Sequence, residues 1–369
     1  MKILFAGSYN DKDTFTGPEK VARRIFDSFS GNSPEYQTTF ISYFSDGNIY
    51  GIFKKLFGQD FISSEGNGNI LRLGIFRMFL FALKYRPDVI HIINFERFPV
   101  LLYIFRLFSK VKIVYNVHGI AAFEDSTNNK ASQNLKSKDR FCEKIYFRYS
   151  DTLIFLSELS KTTARKFYDF DDSKAVIIPN GIDKEFYEAG KAAKPKSERT
   201  LKIVFIGEIL KKEKGFTELI SALFKIDFSI ELFAISDSSP DSLLLSEIND
   251  SSNINFHLTD KMDTEKYAEF LSNKDIYISP STYEQFSIAA VESMAAGLVP
   301  VVSVETGMNT YIDNGVNGIV YNNETELISI LNKLNYDRDS IFNISEKAKL
   351  IYNELNTEKI FQKYKNVYK

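Results

Sequence analysis

Apolar residues along this chain fall into two rhythms that alternate from end to end. Short apolar runs of strand length give way to stretches with an apolar residue every third or fourth position, the spacing of an amphipathic helix. In the first half the runs predict strands at Lys2–Ala6, Thr38–Ser42, Val89–Ile92, Lys112–Asn116, Thr152–Phe155 and Val176–Ile178. In the second half they fall at Lys202–Ile206, Ser229–Phe233, Ile254–His257, Ile276–Ser279 and Val299–Val302. Glu19–Ser30 and Ser157–Tyr168 read as helices. So does Ser345–Lys369, with Leu350, Ile351, Leu355, Ile360 and Phe361 as its apolar positions. Strand and helix alternating in this way predict an α/β fold of parallel sheets covered by helices on both faces.

The polar stretch Glu188–Thr200, with Gly190 and Pro195, interrupts the alternation. A fresh strand pattern, LKIVFIG, follows it and resembles the one that opens the chain. With 369 residues, too many for one comfortable core, two doubly wound Rossmann-like domains are expected. Their bounds are 1–187 and 201–345, joined by a linker at 188–200, with a C-terminal helix at 346–369 able to cross back to the first domain. Such sheets bind ligands outside the carboxyl ends of their strands, so a shared cleft is the expected site.

Composition narrows the function. Cys142 is the only cysteine, so no intramolecular disulfide can form, and three histidines leave little material for a zinc site. A net charge of −2 argues against nucleic acid as a partner. Residues 1–185 carry 26 Lys+Arg against 21 Asp+Glu, while residues 186–369 carry 20 against 27, so the halves are expected to face different partners. MKILFAGS reads as a strand and not a signal peptide, and no run reaches spanning length, which predicts a cytoplasmic protein. Leu71–Tyr85 and Phe95–Lys110 mix large apolar residues with Arg and Lys. They read either as buried helices or as a peripheral face for a lipid-linked acceptor at the inner face of the membrane.

Residues 278–302, ISPSTYEQFSIAAVESMAAGLVPVV, carry the most specific chemistry. A strand ends in a short loop, and a helix is predicted from Gln285 to Ala296, stopped by Gly297. Unpaired amides at Phe286, Ser287 and Ile288 would then point outward with the positive end of the helix dipole, a site for a phosphate or diphosphate. Glu284 before the helix and Glu292 two turns into it could bracket one ligand, since a carboxylate can accept both hydrogens of a ribose diol. A bare E-x7-E spacing is more often a cap and a surface ion pair. The strand, the small residues Ala289, Ala290, Ser293, Ala295 and Ala296, and the Gly-x-x-Pro exit favour the site.

This segment resembles the signature of the family-4 retaining glycosyltransferases of GT-B fold, P-S-x-x-E-G-F-G-x-x-x-x-E-A-M-A-x-G-x-P-V. Further landmarks follow in order over nearly the whole chain: Asn116–Gly119, Ser157–Lys161, Ile178–Asp183, Lys214–Gly215 and Asn314–Tyr321. The resemblance implies a nucleotide-sugar donor, UDP-sugar ahead of GDP-mannose, and a glycan or lipid-linked acceptor in surface-polysaccharide synthesis. It implies no cofactor and no metal. By the same resemblance Glu292 binds the donor ribose, and Glu284 lies near the transferred sugar. Lys214 and the amides of Phe286, Ser287 and Ile288 hold the diphosphate, and His118 contacts the donor sugar. Gly17 corresponds to the family's Gly-rich loop, though a turn with proline at the first helical position explains it equally well. Leu258 and Thr259, beside His257, are expected near the base, while His91 reads as core or wall.

The chain also departs from the family pattern. Gly207-Glu208 stands where Gly-Arg is usual, and a carboxylate facing a diphosphate repels it. Glu208 is therefore expected to turn away or to be offset by Lys211 or Lys212. Glu284-Gln285-Phe286-Ser287 lacks both glycines of the motif, and Thr306–Thr310 lacks the glutamate of its counterpart. A non-catalytic subunit that binds a partner transferase, or an epimerase or phosphorylase on the same fold, are the rival readings.

Overall fold

The computed structural model describes residues 1–9, 17–31, 34–44, 49–123, 133–193 and 200–369. They form two compact units, Met1–Gly181 with Glu358–Lys369, and Ile182–Thr357.

The sheet of the first unit comprises β1 (Lys2–Ala6), β2 (Gln37–Ser42), β3 (Gln59–Glu65), β4 (Gly68–Leu73), β5 (Val89–Ile92), β6 (Lys112–Val117), β7 (Thr152–Phe155) and β8 (Ala175–Ile177). Their order is β3-β4-β2-β1-β5-β6-β7-β8, parallel except where β3 runs against β4. With no tryptophan to fill volume, phenylalanine does so: fully buried Phe5 packs within 5.8–6.5 Å of Phe26, Phe29 and Phe40. The β3–β4 hairpin is an addition to the predicted strands. Its turn, Gly66-Asn67 with Gly66 at φ +56°, is a two-residue hairpin signal that the apolar pattern alone passes over. Part of the segment Leu71–Tyr85 is thus strand, and only Ile75–Tyr85 is helix.

The second unit holds β9 (Leu201–Ile206), β10 (Ile230–Ile235), β11 (Ile254–Thr259), β12 (Ile276–Ser279), β13 (Val299–Ser303) and β14 (Ile319–Tyr321). All six are parallel, in the order β11-β10-β9-β12-β13-β14. That is the doubly wound order whose direction of winding reverses between the first and fourth strands, here β9 and β12, and the loops leaving those two strands diverge to open a crevice.

Chain organisation differs from the predicted bounds in two places. Units divide at Gly181/Ile182, and Glu188–Ala192 of the expected linker is the end of helix Lys184–Ala192; positions 194–199 lie outside the described residues. The C-terminal segment is not one helix, because Asn356 is extended (φ −61°, ψ 149°) and separates it from helix Thr357–Tyr368. Leu350 is 53% exposed and serves no core, whereas Ile351, Leu355 and Ile360 are buried.

Candidate active site

Lys214 and Glu284 leave the sheet of the second unit at its winding reversal, and a backbone lock brings them together. The loop after β9 makes a short 3-10 turn at Lys212–Lys214 and passes through Gly215 in the left-handed conformation, φ +69°. A Cβ at Gly215 would lie 2.2 Å from the carbonyl oxygen of Pro280, so only glycine allows this loop to touch the one leaving β12. Thr282 N–H donates to the Glu213 carbonyl at 3.0 Å and ties the same two loops together. As a result the Lys214 ammonium is ion-paired and hydrogen-bonded to the Glu284 carboxylate. Burial by itself would lower the pKa of Lys214, but the charge and hydrogen bond of Glu284 outweigh it and hold the pKa above the ordinary value.

Glu284 is itself held in place through its backbone. Its N–H donates to the Glu305 carbonyl at 3.0 Å, and its carbonyl accepts from Gly307 N–H at 2.8 Å. This bridge keeps residue 284 extended and delays the helix, which runs Ile288–Ala295 and does not begin at Gln285. Ser287 is the cap: its Oγ accepts from Ala290 N–H at 3.3 Å and lies 3.0 Å from Tyr277 Oη. The first-turn amides are thus those of Ile288 and Ala289, with Ala290 capped, in place of the expected Phe286–Ile288 set. Phe286 is core, 2% exposed and edge-on to Tyr311. Glu292 is 2% exposed, beside Ser293 in a helix whose other residues are apolar, and Gly297, at φ +88°, terminates that helix.

Glu208 turns to the neighbouring strand end. Its carboxylate accepts from Ser238 Oγ at 3.3 Å, in a serine pair where Ser236 Oγ also receives Ile209 N–H. Among the described residues neither Lys211 nor Lys212 is paired with it, so the offset is serine hydroxyl and not lysine. Leu258 and Thr259 end β11 beside this group; Leu258 is 44% exposed, and the Thr259 carbonyl accepts Ser236 N–H at 3.4 Å. His257 lies inside β11, stacked on Phe233 at 4.6 Å.

In the first unit His118 follows β6, half-buried, and desolvation lowers its pKa to about 4. Its Nε2 lies 3.4 Å from Asn116 Nδ2. Asn116 also donates to Tyr364 Oη at 2.7 Å, and its Oδ1 lies 3.0 Å from His91 Nε2. His91 is wholly buried, which pushes its pKa down to about 3, and Nδ1 meets Tyr368 Oη. The apolar rhythm marks Ile360 and Phe361 in the terminal helix but gives no sign of the polar role of Tyr364 and Tyr368, four residues apart on one helical face. Gly17 opens helix Gly17–Ser30 and is exposed; the loop before it lies outside the described residues.

Two family profiles divide most of the chain between them. "Glycosyltransferase Family 4" matches residues 39–186 and "Glycosyl transferases group 1" matches residues 187–351. The chain belongs to the family-4 glycosyltransferases. Glu208, Lys214, Glu284 and Glu292 all fall in the second matched segment. This glycosyltransferase is 22% identical over 303 residues to alpha-monoglucosyldiacylglycerol synthase of Acholeplasma laidlawii, covering 74% of this chain and 75% of that one. Its fold is GT-B, with two Rossmann-like domains. Sucrose-phosphate synthase of Thermosynechococcus elongatus matches it at TM-score 0.77 and 16% identity, over 100% of this chain and 98% of the other. HepE of Anabaena, solved in complex with UDP-glucose, matches at TM-score 0.72 and 17% identity over 100% and 99%.

Proposed function

We propose that this glycosyltransferase moves a sugar from a UDP-sugar to a hydroxyl of a glycan or lipid-linked acceptor, with retention of anomeric configuration, in the assembly of cell-surface glycans. The Lys214–Glu284 pair at the winding reversal carries the reading. Glu284 accepts a hydroxyl of the transferred sugar, Lys214 and the Ile288 and Ala289 amides receive the diphosphate, and Glu292 takes the ribose diol. As the glycosidic bond breaks, negative charge grows on the leaving phosphate, and a fixed ammonium with aligned amides stabilises it without reorganisation. That phosphate oxygen takes the acceptor's proton. A neutral His118 donates a hydrogen bond to the donor sugar. UDP is favoured over GDP because HepE is a UDP-glucose complex and shares the fold.

The charge is met by the chain's own residues, so transfer is read as metal-independent. In a panel of UDP-, GDP- and ADP-sugars, transfer is expected with a UDP-sugar and at an unchanged rate in excess EDTA. Loss of all activity on chelation, or turnover with none of the donors, contradicts the reading.

Peripheral attachment to an anionic membrane belongs to the same reading. No helix among the described residues is long and apolar enough to cross a membrane. Helix Ile75–Tyr85 nevertheless exposes Phe76 (51%), Leu80 (59%) and Leu83 (42%) at i, i+4 and i+7, an unburied apolar stripe. Phe57 stacks on Phe76 at 5.1 Å, and Phe53 lies tilted against Phe57 at 5.3 Å, all three exposed. Helices Ile49–Phe57 and Ile75–Tyr85 carry Lys54, Lys55, Arg77 and Lys84 and no acidic residue, which suits anionic headgroups. A diacylglycerol in the name of the Acholeplasma relative supports a lipid acceptor. Phe76→Asp with Leu80→Asp removes two inserted side chains, each contributing about 1.5–3 kcal/mol. Sedimentation with phosphatidylglycerol vesicles is expected to fall at least about tenfold in this variant; equal sedimentation of variant and wild type rules the face out.

A further inference from the structure

The polar chain beneath His118 fixes where its proton resides. Oδ1 of Asn116 can only accept, so with the carboxamide in this orientation the His91 nitrogen facing it at 3.0 Å, Nε2, carries hydrogen. His91 Nδ1 then holds a lone pair and accepts from Tyr368 O–H. The two amide hydrogens of Asn116 go to Tyr364 Oη at 2.7 Å and to His118 Nε2 at 3.4 Å. His118 therefore keeps its lone pair on Nε2, turned inward, and its proton on Nδ1, which has no partner among the described residues. Burial keeps both imidazoles neutral and raises both phenol pKa values, so no charged form competes with this arrangement. His91 and Asn116 are wholly buried, and Tyr364 and Tyr368 are 2% and 3% exposed, so water cannot substitute for a lost partner.

We propose that Tyr364 and Tyr368 of the C-terminal helix are positioning residues for His118, acting through Asn116 and His91 to hold it as an Nδ1–H donor. The inference rests on the reading that His118 contacts the donor sugar. It assigns the imidazole the role of hydrogen-bond donor to a ligand oxygen and excludes that of general base. It also explains why residues 358–369 return to the first unit after the chain has built the second. The helix is docked there by Phe361 and Tyr368 against Phe29, at 4.6 and 4.8 Å, and by a hydrogen bond from Lys112 Nζ to the Val367 carbonyl. Docking places the two hydroxyls on the His91–Asn116 pair, and the pair sets the tautomer.

Long-range proton–nitrogen correlation spectra of histidine-labelled protein at pH 7.5 read the tautomer directly. Wild-type His118 is expected to be protonated at Nδ1, with a bare Nε2. In Tyr364→Phe the Asn116 amide loses an acceptor; a tautomer mixture at His118 is expected, with kcat/KM for the donor lower by about tenfold, the scale seen when the partner orienting a functional histidine is removed. Nε2–H in the wild type overturns the inference and needs no variant to fold. So does a Tyr364→Phe enzyme with unchanged tautomer and unchanged kcat/KM. His118→Ala separates this from the underlying reading: full activity in that variant removes His118 from the donor site whatever its tautomer.

Discussion

Lys214→Ala is expected to lower kcat by about two to three orders of magnitude, the usual loss when one preorganised stabiliser of developing charge is removed. Folding should lose less. The ion pair retains 27% and 23% exposure, so the Glu284 carboxylate left without its cation keeps partial access to water. The position of Lys214 is also built by backbone: Gly215 against Pro280, and Thr282 N–H on the Glu213 carbonyl. Those ties survive the substitution, so the loss reports the ammonium and not a displaced loop. Lys214→Arg keeps the charge but replaces a compact ammonium with a planar fork, and should recover only part of the rate. A Lys214→Ala enzyme with wild-type kcat would remove the ammonium from the mechanism.

A second large effect is expected at Gly215, through structure. Gly215→Ala places a side chain at φ +69°, which costs about 1–2 kcal/mol for an ordinary residue. Its Cβ would also sit 2.2 Å from a backbone oxygen that cannot rotate aside, adding about 1–3 kcal/mol of forced displacement. Gly315→Ala is the matched control. Gly315 has φ +78° with nothing within 4 Å, so only the backbone cost remains. In denaturant unfolding Gly215→Ala should lose clearly more stability than Gly315→Ala, and should also lose activity as the loop moves Lys214 off Glu284. Equal losses at the two glycines would mean that the close approach of the loops carries no weight.

Which parts of the site were legible in the sequence follows from how local their causes are. Glu284 and Glu292 were singled out because a strand, a loop and a helix start stand together over a short stretch, and Lys214 through the family resemblance. The helix start itself was misplaced by three residues. Nothing near Gln285 reveals that residue 284 is bridged to Thr306, or that Ser287 meets Tyr277, since both ties join residues far apart in sequence or on separate elements. The partner of Glu208 was missed for the same reason: Ser238 arrives from the next strand, while Lys211 and Lys212 were merely close in sequence. The doubly wound fold was legible in the alternating rhythm; the β3–β4 hairpin was not, because strand Gly68–Leu73 runs almost directly into helix Ile75–Tyr85 and the two read as one apolar block. Tyr364 and Tyr368 satisfy the helical pattern as ordinary core, and only the fold shows that their hydroxyls reach His91 and Asn116.

Calorimetric titration of UDP into the wild-type enzyme and into Lys214→Ala tests whether the ammonium holds the diphosphate. Saturable binding by the wild type is expected, weakened at least about tenfold in the variant, a loss of about 1.4 kcal/mol or more. Absence of UDP binding to the wild type, or equal affinity in the two proteins, would contradict it.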